Sequence, residues 1–165
     1  MMEEYTISLF GHKELGNFRK IEETLYTVLC DLMIQKQYVS IFVGRDGEFD
    51  FLAASVVKKA QSAIGKEKSS MTLVLPYFRK GIEDYERYYD DVIIPECLEG
   101  MYPKGAITKR NQWMIEVSDC LVCYVDHESG GAYHALKYAR KLGKTIVNLS
   151  HIIKTANGKG MPHDW

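Results

Sequence analysis

Five short runs of apolar, often β-branched residues divide the chain, and each is too short to form a helix of ordinary length. The runs are Tyr5–Phe10, Val39–Val43, Met71–Leu75, Leu121–Val125 and Thr145–Leu149. Within them apolar residues follow one another rather than alternate with polar ones, which is typical of strands that are covered on both faces. The pattern predicts a parallel sheet with helices packed on both sides.

Helical periodicity fills most of the sequence between these runs. Apolar residues recur at spacings of three and four over 18–32, 49–64 and 132–142. Asn17 is a candidate N-cap for the first of these helices, and a glycine ends each of the other two. Because strands and helices alternate, the parallel strands are predicted to be joined by right-handed crossovers.

The stretch Pro76–Asp119 is the longest connection between two predicted strands. It holds a charged, tyrosine-rich segment, the apolar triplet Val92–Ile94, whose status stays open, and a helix over 106–118. A chain that lays three strands outward must cross back to place its fourth strand beside the first. We therefore predict an α/β fold with a doubly wound, mostly parallel, Rossmann-like sheet, in the order 3-2-1-4-5.

Length and composition agree with one globular domain. The chain has 165 residues, of which 46% are hydrophobic and 26% charged. We assign 1–150 to a single domain and 151–165, which lacks periodicity, to a C-terminal loop or terminal arm. A net charge of −1 gives no reason to expect a nucleic-acid partner. No apolar run approaches the ~20 residues of a membrane span, and the chain starts with acidic residues, so we expect a cytoplasmic protein.

The cysteines do not indicate a disulfide scaffold or a metal centre. Cys30, Cys97, Cys120 and Cys123 are few and scattered. The Cys120-x-x-Cys123 pair lies in a predicted strand, where residues three apart point to opposite faces. The segment Asp126–Glu128 also lacks metal-site spacing by itself. No metal and no cofactor are expected.

Three loops meet at the edge of the sheet where the strand order reverses, which is where open α/β sheets bind ligands. They cover 11–14, 44–50 and 126–131. The second enters its helix through Gly44 and Gly47, and the third does so through adjacent glycines. Glycine lets backbone N–H groups approach an anion closely, and a helix N-terminus carries partial positive charge. The loops predict a site for the phosphate of a nucleotide or nucleotide-derived molecule.

A single arginine on the predicted helix 106–118 adds a second line of argument. Ile107, Arg110, Met114 and Val117 are spaced three, four and three, so Arg110 shares an apolar, inward face. A buried guanidinium needs an anionic partner, which is either a protein carboxylate or a ligand phosphate. In the remaining alternative, the aliphatic stem packs while the charged head reaches water.

The candidate site residues lie in these loops or beside Arg110. Those assigned to ligand binding are Gly11, His12, Lys13, Gly44, Arg45, Gly47, Arg110, Asn111, Ser129, Gly130 and Gly131. Arg110, Glu48 and Asp50 are the candidates for catalysis. The two carboxylates would act as a general base near a sugar, or would satisfy N–H groups at the start of their helix.

Taken in order, these motifs resemble the SLOG superfamily of Rossmann-like domains, which are related to LOG and DprA. The resemblance rests on the loops around Gly44 and Gly130 and on the Arg-x-x-x-Met-x-x-x-Ser-Asp spacing from Arg110 to Asp119. The opening Gly11–Gly16 is similar to the Gly-x-Lys-x-x-Glu-Leu-Gly element of the YpsA-like branch, one residue shorter.

The resemblance implies one of two functions, a binding domain that recognises a nucleotide-derived signal or a phosphoribohydrolase that cuts a nucleotide N-glycosidic bond. It also implies a homodimer or higher homo-oligomer. The LOG-type Pro-Gly-Gly-x-Gly-Thr-x-x-Glu element is only partly matched, because Leu136 and Lys137 stand where acidic residues belong. Binding without turnover is therefore the main expectation, and N-glycosidase activity is the alternative.

Overall fold

The computed structural model describes residues 3–101 and 103–158. Strands and helices alternate along most of the chain, as the periodicity predicts. The strands are β1 (Glu4–Gly11), β2 (Tyr38–Val43), β3 (Ser69–Val74), β4 (Asp91–Ile93), β5 (Cys120–Tyr124) and β6 (Thr145–Asn148). The helices are α1 (Phe18–Gln35), α2 (Glu48–Ile64), α3 (Ile82–Tyr88), α4 (Pro103–Glu116), α5 (Gly131–Lys141) and α6 (Leu149–Gly158).

All six strands form one parallel sheet in the order β4-β3-β2-β1-β5-β6. This confirms the doubly wound α/β class. The order differs from the predicted one by an additional strand: β4, which contains most of the triplet whose status was open, pairs with β3 at the edge. The order in which strands are added reverses between β1 and β5, because β2 lies on one side of β1 and β5 lies on the other. Gly11 at the end of β1 is level with Tyr124 at the end of β5.

Each face of the sheet is covered by its own apolar core. On one face, strand residues such as Ile7, Ile41 and Val122 pack against α1, α2 and α6. On the other face, Leu121 and its neighbours pack against α4 and α5. Burial on both sides explains why the strands are continuous apolar runs.

The two strand cysteines point to opposite faces, as expected from their spacing. Cys120 belongs to the core beneath α1, and Cys123 belongs to the core beneath α5. Burial raises the pKa of the Cys120 thiol to about 11 and that of Cys123 to about 12. Both thiols are therefore protonated packing groups at neutral pH rather than redox or metal-binding groups.

The structure corrects two local predictions in part. Residues 151–158 belong to α6 rather than to a loop, because Leu149, Ile152 and Ile153 form a short apolar stripe that packs on the core. The rest of the predicted tail, 159–165, lies outside the described residues. Asn17 occupies the N-cap position of α1, as predicted, but its backbone is left-handed, with φ of 54°, and its side chain makes no capping hydrogen bond.

Within residues 3–101 and 103–158, we find no helix that combines the length and the apolar character needed to cross a membrane.

Gly11 is required by a close contact between β1 and α2. A Cβ atom at this position would lie 2.1 Å from Cγ of Phe49, a core residue that cannot move aside cheaply. We expect Gly11→Ala to lower the free energy of unfolding by at least ~1–3 kcal/mol, as overpacking does. Gly16→Ala is the control, because a Cβ atom there meets nothing within 4 Å. Urea unfolding of both variants tests this, and equal stabilities would contradict it.

Candidate functional site

A cavity of about 440 Å³ opens at the carboxyl ends of β1, β2 and β5, between the N-termini of α2 and α5. Its position is the reversal point of the sheet, where the sequence places the ligand site. Every predicted site residue except Arg45 and Glu48 lines it, namely Gly11, His12, Lys13, Gly44, Gly47, Asp50, Arg110, Asn111, Ser129, Gly130 and Gly131. Asp46 and His127, which were not among the candidates, line it as well.

Arg110 is buried and is bound by the protein itself. Its Nη2 donates to a carboxylate oxygen of Asp46 at 2.5 Å, and its Nη1 donates to the main-chain oxygen of Val74 at 2.9 Å. Its Nε donates to Oδ1 of Asn111 at 2.8 Å. Of the alternatives left open by the sequence, the structure shows the protein carboxylate. A ligand phosphate is therefore not needed as the counter-ion of Arg110.

The buried face of this helix differs from the predicted apolar stripe. Ile107 and Val117 are exposed, whereas Ala106, Arg110, Met114 and Ile115 are buried. The first three of these buried residues lie four apart on one face of α4, and Ile115 widens the contact at the C-terminal end. The inward position predicted for Arg110 agrees with the structure, but the membership of Ile107 and Val117 in the same face does not.

Asp46 carries a charge that two arginines compensate. Burial alone would raise its pKa, but the ion pairs with Arg110 and, at 3.2 Å, with Arg79 hold the pKa of this carboxyl below its ordinary value. Asp46 is therefore ionised at neutral pH. Because this carboxylate already pairs with both arginines, neither guanidinium needs a ligand anion as its counter-ion.

Protein atoms accept one N–H of the first turn of α2 and one in the loop before it. The N–H of Asp46 donates to Oδ2 of Asp50 at 2.8 Å, and the N–H of Glu48 donates to the main-chain oxygen of Lys13 at 2.9 Å. Gly47 is needed for this packing, because a Cβ atom there would lie 2.6 Å from Cα of Lys13. The Gly44–Gly47 loop therefore joins two parts of the protein, and Gly47 is explained by this packing.

The N-terminus of α5 is more open than that of α2, although neither helix has a side-chain cap. Gly130 adopts φ of 90° and ψ of 175°, a conformation that favours glycine, and no side chain caps the helix. Gly131 has open space around it. Both glycines line the cavity together with Ser129. The first N–H groups of a helix have no partner within the helix, so this end of α5 can receive an anion.

The loops after β1 and β5 bring two histidines and an aspartate together. Nε2 of His12, which is buried, lies 3.2 Å from Oδ1 of Asp126 and accepts the N–H of Asp126 at 3.1 Å. Nδ1 of His127 lies 2.7 Å from the same carboxylate oxygen. The two imidazole rings stack with centroids 3.6 Å apart. Chain spacing could not reveal this cluster, because His12 is 114 residues from Asp126.

Burial lowers the pKa of His12, and the neighbouring His127 lowers it further, against the opposing effect of Asp126. His12 is therefore neutral at pH 7. The pKa of Asp126 is also lowered, because the contacts with His127, Tyr124 and His12 outweigh its own burial. At neutral pH the cluster thus presents an ionised carboxylate beside an uncharged buried imidazole.

The three charged candidates in and after the loop that follows β2, Arg45, Glu48 and Asp50, occupy different environments. Asp50 lines the cavity, and burial, with the charge of Asp46, raises the pKa of its carboxyl to about 6. Glu48 instead accepts the N–H of Leu15 at 3.1 Å, which holds the loop after β1. Arg45 turns away from the cavity and donates to the hydroxyl of Tyr89 at 3.1 Å.

Ser118 and Asp119 fix the end of α4 against β1. The carboxylate of Asp119 accepts the N–H of Thr6 at 2.8 Å. The hydroxyl of Ser118 lies 2.7 Å from that of Ser8 and donates to the main-chain oxygen of Met114 at 2.7 Å. The Arg-x-x-x-Met-x-x-x-Ser-Asp spacing therefore describes how α4 docks on the sheet, with Arg110 at one end of the contact.

No family model matches the chain, and no curated protein is detectably similar to it in sequence. Solved structures are similar in fold. DNA processing protein A (DprA) from Streptococcus pneumoniae superimposes with a TM-score of 0.66 at 12% identity, over 97% of this chain and 59% of that protein. This chain therefore matches about three fifths of that protein's length.

Two further structures extend the similarity. DprA from Helicobacter pylori, described with a single-stranded DNA binding mode, gives a TM-score of 0.59 at 14% identity over 94% of this chain and 74% of its own. The molybdenum cofactor carrier protein from Chlamydomonas reinhardtii gives 0.56 at 15% identity over 96% and 88%. The shared fold agrees with the Rossmann-like fold implied by the sequence resemblance, and membership of the SLOG superfamily and of its YpsA-like branch stays a prediction.

The ion pair of Arg110 generates a stability prediction. Arg110→Ala would leave Asp46 without its buried partner, which typically costs ~3–5 kcal/mol. We expect the lower end of that range, because Arg79 still neutralises Asp46. Arg79→Ala is the matched control, and since Arg79 is partly exposed its loss should cost less than ~1 kcal/mol. Thermal unfolding without ligand measures both, and similar losses in the two variants would show that burial of Arg110 is unimportant.

Proposed function

We propose that the cavity binds a small phosphorylated molecule, a nucleotide or nucleotide-derived compound, with its phosphate at the N-terminus of α5. The observation that carries the proposal is the open, uncapped turn Gly130–Gly131 facing the cavity at the reversal point of the sheet. Backbone N–H groups and the helix dipole favour an anion there. Unlike the start of α2, this end of the cavity holds no paired carboxylate in the helix turn itself.

The size and lining of the cavity support a compact ligand. A volume of about 440 Å³ lies within the range of small-molecule sites. Lys13, which is exposed at the rim, supplies a cation beside the cavity. Asn111 and Ser129 add polar groups, and Phe10 and Ile107 add apolar surface against which a base could pack.

The structural neighbours offer two ligand classes to compare with this proposal. One is described as binding single-stranded DNA and another as carrying the molybdenum cofactor. We favour the small-molecule class for this chain, because its net charge is −1 and long single strands are bound along positively charged grooves. A short oligodeoxythymidine belongs in the binding experiment, since tight binding of it would favour the nucleic-acid class.

The proposal predicts a charge effect at the start of α5. Gly131→Asp should preserve the fold, because a carboxylate at this point suits the helix dipole and Gly131 has space around it. The same carboxylate should repel a bound phosphate and weaken binding at least ~10-fold, which is about 1.4 kcal/mol. Calorimetric titration with adenosine, guanosine, cytidine and uridine monophosphates measures this.

Gly131→Asn is the control for that experiment, since it has the same shape without the charge. We expect the Asn variant to bind the nucleotide far better than the Asp variant. Equal affinity of wild type and Gly131→Asp for every nucleotide bound would place the phosphate elsewhere. No binding of any of them by wild type would refute the nucleotide class.

A second candidate function is hydrolysis of the N-glycosidic bond of a nucleotide, and Asp50 is the observation that favours it. This carboxyl lines the proposed ligand cavity, and its pKa is raised to about 6. A pKa near the working pH is what general acid–base catalysis needs. Glu48 is less suited to the role, because it is engaged with the N–H of Leu15.

Asp50→Asn separates this role from a structural one. Because the folded pKa, about 6, exceeds the ordinary 3.8, wild-type stability should fall as pH rises from about 4 to 6. The variant lacks this loss, so its free energy of unfolding at pH 8 should exceed that of wild type by up to about 3 kcal/mol.

The same variant tests catalysis. If Asp50 is catalytic, wild type should release free base from nucleoside monophosphates, as measured by chromatography, and the variant should not. Equal base release by both would exclude Asp50.

A further inference from the structure

We propose that His12, Asp126 and His127 form a binding site for one divalent transition-metal ion, such as Zn²⁺, at the edge of the cavity. One ligand atom from each of the three side chains lies within 4.8 Å of the other two. Two imidazoles and a carboxylate are a donor set that such ions use in proteins. The proposal concerns the ion alone, and it does not depend on nucleotide binding.

The separations between the donor atoms suit a shared ion. Donors at ~2.1 Å from a tetrahedral ion lie about 3.4 Å from one another. Here Oδ1 of Asp126 is 3.2 Å from Nε2 of His12 and 2.7 Å from Nδ1 of His127. A turn of the exposed His127 ring out of its stack on His12, together with a small adjustment of the carboxylate, would place all three donors around one ion.

The fold holds two of the three residues in place. β1 and β5 are neighbouring parallel strands with Gly11 level with Tyr124, so the residues that follow them emerge side by side. His12 is buried with 5% of its surface exposed, so the surrounding residues leave its ring little room to move. His127 is 53% exposed and can turn its ring towards an ion without disturbing the core.

An ion would replace two weak contacts. The hydrogen bond between Nδ1 of His127 and Asp126 would break, and the Nδ1 proton would pass to solvent while Nε2 takes one up, so that the metal-bound imidazole stays neutral. The lone pair of His12 Nε2 would exchange the N–H of Asp126 for the metal. Coordination by two nitrogens and a single carboxylate favours Zn²⁺, Co²⁺ or Ni²⁺ over Mg²⁺ and Ca²⁺, which prefer all-oxygen sites.

The cluster faces the space in which the ligand is proposed to lie. His12 and His127 both line the cavity, as does Ser129 beside the start of α5. Three protein donors leave at least one coordination position for water or a ligand oxygen. An ion here would add a second positive centre to the cavity, close to the helix terminus that favours an anion.

Titration of the tag-free protein with ZnCl₂, in the absence of any nucleotide, tests the site. We expect one ion per chain for wild type, and an absorption band in the visible range when Co²⁺ is used instead. His127→Ala should weaken Zn²⁺ binding at least ~10-fold and keep the wild-type fold, because the ring is exposed. His134→Ala is the matched control, since His134 is an exposed histidine on α5 outside the cluster.

Circular dichroism and thermal unfolding of the metal-free variants confirm that their folds are intact. Asp126→Asn, which keeps the side-chain shape and removes the charge, should lose affinity as His127→Ala does. The proposal is overturned if wild type binds Zn²⁺ no more tightly than His127→Ala, or if His134→Ala loses as much affinity. Either result would leave the nucleotide proposal untouched, because nucleotide binding is measured in a separate calorimetric titration. For that titration the protein is first treated with a chelator to remove metal ions.

Discussion

The buried ion pair between Arg110 and Asp46 is the interaction on which the cavity depends. It joins α4, which arrives after the longest connection in the chain, to the loop after β2, and Arg110 also binds the main-chain oxygen at the end of β3. A guanidinium leaves water at a cost of several kcal/mol unless hydrogen bonds compensate it. Helix α4 can therefore dock only when that loop has the shape that brings Asp46 to it. The conformation of the loop after β2, which lines the cavity, and the position of α4 therefore depend on each other.

This ion pair divides the cavity into two electrostatically different ends. Near α2 the charges are already matched, since Asp46 faces two arginines and Asp50 accepts a main-chain N–H. Near α5 the helix terminus is uncapped, and no comparable pairing occupies the glycine turn. Under the proposed function, the anionic part of the ligand lies at the α5 end, while the α2 end holds Asp50, whose pKa is raised to about 6. The difference arises because the buried Arg110 pairs with Asp46, at the α2 end of the cavity.

Most of the fold could be predicted from the sequence, because its signals are local. Apolar runs without alternation indicate a covered parallel sheet, and the long connection indicates a reversal of strand order. What the sequence could not show is which side chains meet. Arg110 predicts an anionic partner without specifying Asp46, and His12 lies 114 residues from the aspartate it contacts. Helix α6 was missed for another reason: it follows β6 directly, and three apolar residues over one turn and a half make a weak periodic signal.

The two glycine-marked loops show that loops with similar glycine motifs can have different structural roles. In sequence they suggest the same phosphate cradle, yet at Gly47 a Cβ atom would strike the chain at Lys13, whereas at Gly131 it would meet nothing. The first glycine permits packing, and the second has open space around it.

The stretch that corresponds to the LOG-type Pro-Gly-Gly-x-Gly-Thr-x-x-Glu element also has packing residues at the two positions where the motif has acidic ones. Leu136 is buried in the core beneath α5, and Lys137 lies over the ring of Tyr133. Neither position can present a carboxylate to the cavity. A carboxyl that lines the cavity is supplied from α2 instead, by Asp50, on the other side of the cavity from the helix that carries the acid in the LOG-type motif.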